Sequence, residues 1–191
     1  IGTLGVWKNE ECVDEFGLTS PTYIDFRKYL NKYSRGIDVL AVEMSSHALM
    51  QKRYFDFQFD YGAWTSFSQD HLDYHETMDE YFEAKSKIFN CVKETVSVIK
   101  TEKFITKLNN IKLKSLPVKS FERSDFLSVD YNKKNMTLAL DLMERIGVNE
   151  KEIKIKDIKA PPGRFNILKF KENHIVIDFA HTSDALKNIC Q

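Results

Sequence analysis

Cysteine is scarce in this 191-residue sequence, and the three present, Cys12, Cys91 and Cys190, are odd in number and far apart. That spacing excludes a disulfide framework and a cysteine metal knuckle, and it fits a reducing compartment. Net charge is missing too, because 28 basic residues balance 28 acidic ones. A balanced chain carries no electrostatic footprint for nucleic acid or for an anionic membrane surface. No apolar stretch approaches the about 20 residues needed to cross a bilayer. No signal peptide is visible, so a cytoplasmic location is expected. Internal repeats, low-complexity tracts, a Ser-His-Asp or Cys-His nucleophile set and a G-x-x-x-x-G-K-[ST] phosphate loop are all lacking. The apolar content of 42%, with 13% aromatic residues, suffices for one buried core and part of another.

Against these absences stands a lysine where a leucine is expected. The run Thr-Met-Asp-Glu-Tyr-Phe-Glu-Ala-Lys-Ser-Lys-Ile-Phe opens at Thr77 with a T-x-x-E capping box. Successive residues about 100° apart put Met78, Tyr81, Phe82, Ile88 and Phe89 on one stripe with Lys85 at its centre. Asp79, Glu80, Glu83 and Lys87 take the opposite face. A buried ammonium needs a charged partner, a lowered pKa or a covalent change of charge. Alternatively the stem crosses the apolar surface and the head reaches water. Just upstream, Asp70, His71, Asp73 and His75 crowd four candidate metal ligands or proton carriers into six residues. His71 and His75 share a face if that segment is helical, although histidines also cap helices and line cores. Further back, the apolar run Ile37 to Glu43 reads as a strand buried on both faces, ending in a carboxylate. Either serine of Met44-Ser45-Ser46-His47 can cap the next helix. Ligands of open α/β sheets bind beyond the carboxyl ends of the strands, where Glu43 is expected.

Punctuation organises the rest. Ser20 and Pro21 read as N-cap and first position of a helix to about Ser34, with Gly36 beyond it. Asp38 to Glu43 is expected as a strand, Ser46 to about Arg53 as a helix, and Tyr61 to Phe67 as a second buried strand. Val96 to Lys100 and Pro117 to Phe121 read as short strands. The lysine-rich stretch from Lys100 to Lys114 reads as a solvated face. Asn132 to Arg145 is an amphipathic helix closed by Gly147. Ala160-Pro161-Pro162-Gly163 interrupts regular structure, and Phe165 to Lys171 and His174 to Ala180 follow as two strands. The alternation predicts an α/β fold with a mostly parallel, Rossmann-like sheet and helices on both faces.

Val-Glu-Met-Ser-Ser-His-Ala-Leu (42 to 49), Thr-Ser-Phe-Ser-Gln-Asp-His-Leu-Asp-Tyr-His (65 to 75) and Tyr-Phe-Glu-Ala-Lys (81 to 85) together resemble the central-domain signatures of the Mur ligases. Within that family they are most similar to the branch that adds the third residue of the peptidoglycan stem peptide. Ala-Pro-Pro-Gly-Arg-Phe-Asn (160 to 166) and Ile-Asp-Phe-Ala-His-Thr-Ser-Asp-Ala-Leu (177 to 186) extend the resemblance, which is thin between about Cys91 and Val129.

The resemblance implies a central ATP-binding domain over residues 1–160 and the start of a C-terminal ligase domain over 161–191, loosely held. It also implies a phosphate loop upstream of Gly2-Thr3-Leu4-Gly5, so a piece of a ligase, inactive alone, is expected. The implied reaction is ATP-dependent amide formation. A D-glutamyl carboxylate of UDP-N-acetylmuramoyl-L-Ala-D-Glu attacks the γ-phosphate to give an acyl phosphate, which the amino group of diaminopimelate or lysine then displaces. In the family the lysine corresponding to Lys85 is carbamylated, which makes it an oxygen donor that organises Mg2+ together with Glu43 and His71. His75 and Asp73 are then structural. The dipeptide substrate is implied to meet Thr19 and Ser20, which stand for a Thr-Thr pair, and Ser45, Gln51 and Arg53. For ATP the matching residues are Asn132 and Asn135, with Val129 replacing the glycine that opens their motif, and Arg164 and Asp178, with Phe179 replacing a tyrosine. Asn132 read by itself is equally a helix cap.

Three other readings accompany this one. A folylpolyglutamate synthetase-like ligase shares the architecture and the modified lysine. A metal-dependent hydrolase would use Asp70, His71, Asp73 and His75 without ATP. A non-catalytic module would only hold a nucleotide-sugar.

Overall fold

Val96, Ser97, Val98 and Ile99 are completely shielded from solvent, and they close the strand around which the central sheet is built. In the computed structural model, which describes residues 1–122 and 124–190, strands and helices intermix along the chain. They are β1 (Val6–Lys8), β2 (Glu11–Asp14), α1 (Tyr23–Tyr33), α2 (Ser46–Met50), β3 (Phe59–Trp64), α3 (Leu72–His75), α4 (Met78–Ser86), α5 (Ile88–Cys91) and β4 (Val92–Ile99). There follow β5 (Leu113–Leu116), α6 (Asp130–Arg145), β6 (Asn166–Phe170), β7 (Asn173–Ile177) and α7 (Ser183–Ile189). The central sheet has the order β3-β4-β5, with β4 and β5 parallel in a register from Val96↔Leu113 to Ile99↔Leu116. Two antiparallel hairpins, β1-β2 and β6-β7, complete the strands. The architecture is the expected α/β one.

The residues divide into two compact units, one of Ile1–Phe59 with His71–Lys93, the other of Asp60–Asp70 with everything from Glu94 on. In the first, Phe26, Ala48 and Tyr54 form a core against which Leu30, Leu40, Val42, Met44, Phe57 and Phe59 pack. Phe26 meets the Tyr54 and Phe57 rings edge-on at 4.9 and 4.8 Å, the geometry favoured by aromatic quadrupoles. In the second, Leu127, Met136 and Leu140 pack with Phe121, Phe126, Ile153 and Ile155 beside α6. Phe104, in the link between β4 and β5, stacks on Trp64 at 4.7 Å. That buried ring gives the lysine-rich stretch an apolar anchor.

Several boundaries differ from expectation, each for an identifiable reason. Asp38 to Glu43 is not a strand, since its hydrogen bonds to Ile1 alone build no ladder. Leu40, Val42 and Met44 pack inward while Val39, Ala41 and Glu43 are exposed, so only one face is covered. Thr22, not Ser20, caps α1, accepting from the Asp25 amide, and Ser20 is buried in other bonds. The helix α2 stops at Met50 because Lys52 turns to a positive φ of 53°. The strand β3 begins two residues and ends three residues earlier than its pattern suggests. The expected strand from Pro117 is displaced to Leu113–Leu116, where free amides are available to pair with β4. The lysine helix closes at Ser86, and α5 restarts at Ile88. Lys87 therefore leaves the solvated face and sets its Nζ 2.9 Å from Met50 Sδ. The hairpin β6-β7 forms as anticipated, with Leu168, Phe170 and Ile175 about half exposed.

Candidate active site

Glu43 is held by its backbone and its side chain together. Its N–H donates to Ile1 O at 2.9 Å, and its carbonyl accepts from Ser20 Oγ at 2.8 Å. Its carboxylate Oε2 accepts from the Thr3 amide at 2.8 Å and from Thr3 Oγ1 at 2.9 Å. Four hydrogen bonds thus fix an otherwise exposed residue.

The histidine segment is helical, but only for one turn. His71 precedes α3 with φ 54°, a left-handed conformation that histidine tolerates better than most residues. Glu76 follows with φ 58° and ψ −43°, and the Thr77 amide reaches back to the His75 carbonyl. This is the rare, strained positive-φ γ-turn, and it turns the chain abruptly into α4. Thr77 Oγ then accepts from the Glu80 amide at 3.2 Å, which is the cap the T-x-x-E pattern predicts. Along α4, Tyr81 and Ala84 are buried and Lys85 is half-buried beside them. Ala84 thus takes the centre of the buried stripe. Lys85 Nζ lies 5.5 Å from the Tyr81 ring centre.

Five rings gather between these elements. His71 meets Tyr81 at 5.7 Å and His47 at 5.3 Å, both edge-on, while His47 lies 3.9 Å from Tyr74. His75 is buried, stacks on Tyr81 at 5.2 Å and shares a hydrogen bond of 2.8 Å with Ser46 Oγ. Burial pushes the His47 imidazole down from its ordinary pKa, and neighbouring His71 lowers it further. His75 is lowered by burial first and then by His47 and His71. Both shifts favour the neutral imidazole.

Four of the residues matched to substrate contacts, Ser20, Ser45, Gln51 and Arg53, form one connected group. Ser20 Oγ accepts from the Ser45 amide at 2.9 Å while donating to Glu43 O. Arg53 Nη1 donates to Ser20 O at 2.5 Å, and its Nε and Nη2 both reach Gln51 Oε1, at 3.0 and 2.8 Å. Gln51 Nε2 donates to Tyr74 OH at 3.1 Å, which joins this group to the histidine rings. Ser45 Oγ caps α2 through the Ala48 amide, and Thr19 is exposed. Sequence reasoning passed over His47, Tyr74 and Thr3, although His47 and Tyr74 stand inside the very strings that carry the resemblance.

The nucleotide-matched residues belong to the second unit and divide by role. Asn132 is buried and donates through Nδ2 to Phe126 O at 2.8 Å, while Val129 occupies the cap position, so Asn132 is not the helix cap. Asp178 accepts from Tyr131 OH at 3.0 Å, from the Phe165 amide at 2.8 Å and from the Ala180 amide at 2.8 Å. Burial and this carboxylate push the Tyr131 hydroxyl well above its usual range. Asn135 and Arg164 are exposed, with the Arg164 guanidinium 5.3 Å from the Phe179 ring centre.

Among the described residues, no three histidine, cysteine, aspartate or glutamate side chains converge as a ready-made metal site. The donor set of the first unit is one carboxylate, one imidazole and one ammonium. That set suits a hard divalent cation only if the ammonium of Lys85 becomes a carbamate, which supplies oxygens in place of positive charge.

The fold and these residues define an α/β protein with a parallel strand pair in its second unit and a polar side-chain network in its first. The description Mur ligase middle domain matches residues 1–168, and the chain belongs to that family. Similar curated relatives are the UDP-N-acetylmuramoyl-L-alanyl-D-glutamate–2,6-diaminopimelate ligases of Fusobacterium nucleatum, 31% identical, and Aquifex aeolicus, 29% identical. Each alignment covers 99% of this chain but only 46% and 45% of the relative, so the chain spans about half the length of the relatives it matches. A solved structure of a ligase of the same name aligns over 100% of this chain and 47% of its own, with a TM-score of 0.71 at 23% identity, a likeness of fold. No helix among the described residues is long and apolar enough to cross a membrane.

Proposed function

We propose that these residues serve an ATP-dependent ligase of peptidoglycan precursor synthesis, acting in the cytoplasm. The reaction joins a diamino acid to UDP-N-acetylmuramoyl-L-Ala-D-Glu through an acyl phosphate. Diaminopimelate is favoured over lysine because the curated relatives carry it in their names. The observation that carries the reading is the connected group Ser20, Glu43, Ser45, Gln51 and Arg53 within a family match over residues 1–168. In a longer chain supplying a phosphate loop, residues 1–160 form the ATP-binding domain and 161–191 begin the next. The isolated stretch is expected to be inactive.

Arg53, with Gln51 orienting its planar fork, suits an anionic group of the nucleotide-sugar dipeptide. Thr19 supplies an exposed hydroxyl, and Ser20 and Ser45, through their bonds to Glu43, Arg53 and the start of α2, hold the backbone beside it. Asn135 and Arg164 face the nucleotide, while Asn132 and Asp178 hold the backbone that presents them. Glu43, His71 and a carbamylated Lys85 hold Mg2+, which neutralises phosphate charge when bound. Little covalent chemistry falls to protein side chains in such a reaction, and positioning carries most of the rate.

The test is phosphate release by the full-length protein with ATP, Mg2+ and the dipeptide substrate, comparing diaminopimelate with lysine. Release that depends on diaminopimelate supports the ligase, whereas no release with either amino acid returns the chain to a nucleotide-sugar-binding module. Lys85→Ala should abolish release, with partial recovery on adding a small carboxylate. Undiminished turnover by that variant would remove the carbamate role.

A further inference from the structure

We infer that Thr3 is a positioning residue that decides which oxygen of Glu43 is offered to a divalent cation. The inference rests on Glu43 being a cation-facing carboxylate, as proposed above.

The geometry is specific. One residue, Thr3, delivers both its N–H, at 2.8 Å, and its hydroxyl, at 2.9 Å, to the same carboxylate atom, Oε2. An ionised carboxylate has about four lone-pair sites on its two oxygens, and Thr3 fills the pair on Oε2. Among the described residues Oε1 accepts no hydrogen bond. A cation therefore meets Glu43 through Oε1 alone, in monodentate fashion. That mode suits magnesium, whose near-octahedral shell accepts single oxygens and retains waters and phosphates.

The approach of the two strands of chain is as close as their atoms allow. A Cβ added at Gly2 would lie 2.7 Å from Glu43 Oε2 and 2.9 Å from Glu43 Cβ. A side chain at position 2 would force Glu43 to shift away from Thr3. The Glu43 backbone is tied at the same time to Ile1 O and Ser20 Oγ, which fixes the main chain from which Thr3 orients the carboxylate. Groups that hydrogen-bond a ligating carboxylate set its orientation and tune its affinity.

The test reads metal affinity, independent of turnover. In the full-length protein, Mn2+ binding is followed by the electron paramagnetic resonance signal of the free ion, for wild type, Thr3→Val, Thr3→Ser and Glu43→Ala. Thr3→Val keeps the β-branch and removes the hydroxyl, and it should weaken Mn2+ binding by about tenfold or more. Thr3→Ser should restore it to near wild type, and both should melt with wild type in the absence of metal. If Thr3→Val does not fold, Thr3→Ala gives the same reading. Unchanged affinity in Thr3→Val with loss in Glu43→Ala would overturn the role of Thr3 while leaving the metal role of Glu43 standing. Equal weakening in Thr3→Ser and Thr3→Val would also overturn it, since the hydroxyl would then not be the cause. Unchanged affinity in Glu43→Ala would instead remove the reading on which the inference rests.

Discussion

The two compact units bury polar side chains by different means. In the first, the fully buried polar groups are hydroxyls and an imidazole, Ser20, Ser46 and His75, which lie in one network of rings and hydrogen bonds with His47, Gln51, Arg53 and His71. In the second, a charge is buried beside the neutral Ser97, Asn132 and Thr137. Asp141, on α6, accepts from Lys114 Nζ at 2.6 Å, from Ser97 Oγ at 2.5 Å and from Arg145 Nε at 2.9 Å. Burial pushes its carboxyl upward, but the bonds from Lys114, Ser97 and Arg145 outweigh burial and hold it below the ordinary value. Shifted ionisation often marks functional sites, but compensated ion networks shift it as well. Asp141 is matched to no ligand contact and joins α6 to β4 and β5, so here the shifted carboxylate is structural. The neutral network is the one that joins the matched substrate residues.

The strongest way to break this contrast is Asp141→Ala. It leaves Lys114 and Arg145 without their shared anion, and removing one partner of a buried ion pair costs about 3–5 kcal/mol. The urea midpoint should fall accordingly, and a loss below about 1 kcal/mol would mean the network behaves as a surface pair. Acid titration sharpens the same point. The native pKa lies below the unfolded value of 3.8, so Asp141 contributes stability that is fully present above that value. It is lost as pH falls through the native pKa. Asp141→Asn should remove that acid dependence, and the stability gap between the two proteins should narrow as the pH falls below 4, to be followed by urea midpoints at successive pH values.

The same contrast explains what was legible beforehand. The capped lysine helix, the helix Asp130–Arg145 and the final hairpin rest on local signals: a T-x-x-E box, a 3.6-residue period, two alternating runs. The joining of Ser20, Ser45, Gln51 and Arg53 was reached only through resemblance, since no spacing rule brings Ser20 to Arg53. Asp38 to Glu43 failed as a strand because an apolar run records hydrophobicity, not whether neighbours exist on both sides. Asp141 went unnoticed because a helical period counts any aspartate as solvent-facing, and its partners Ser97 and Lys114 come from distant strands. Thr3 was passed over for a similar reason, because 40 residues separate it from Glu43.

A smaller effect is expected in the neutral network. Ser46→Ala deprives buried His75 of its hydroxyl partner, and leaving one buried polar group unsatisfied costs about 1–3 kcal/mol. The expected loss is thus smaller than for Asp141→Ala, and thermal melts of the two variants side by side check the order. A reversal would mean that the neutral groups hold this protein more firmly than the charged ones.

The smallest effect concerns how the lysine helix begins. Thr77 Oγ satisfies the Glu80 amide, and the Thr77 carbonyl accepts from the Tyr81 amide at 3.0 Å, so the first turn of α4 hangs on one residue directly after the strained turn at Glu76. Replacing a threonine cap by alanine costs about 1 kcal/mol. Because Lys85 sits one turn beyond Tyr81, that cost should appear locally, as faster hydrogen exchange at the Glu80 and Tyr81 amides in Thr77→Ala and near-native exchange in Thr77→Ser. The helix α6 has no side-chain cap and starts from Val129, which is itself buried, so packing alone sets its beginning. Unchanged exchange in Thr77→Ala would place α4 in that same class, held by the buried ring of Tyr81, and the T-x-x-E box would then predict where the helix starts without being what holds it there.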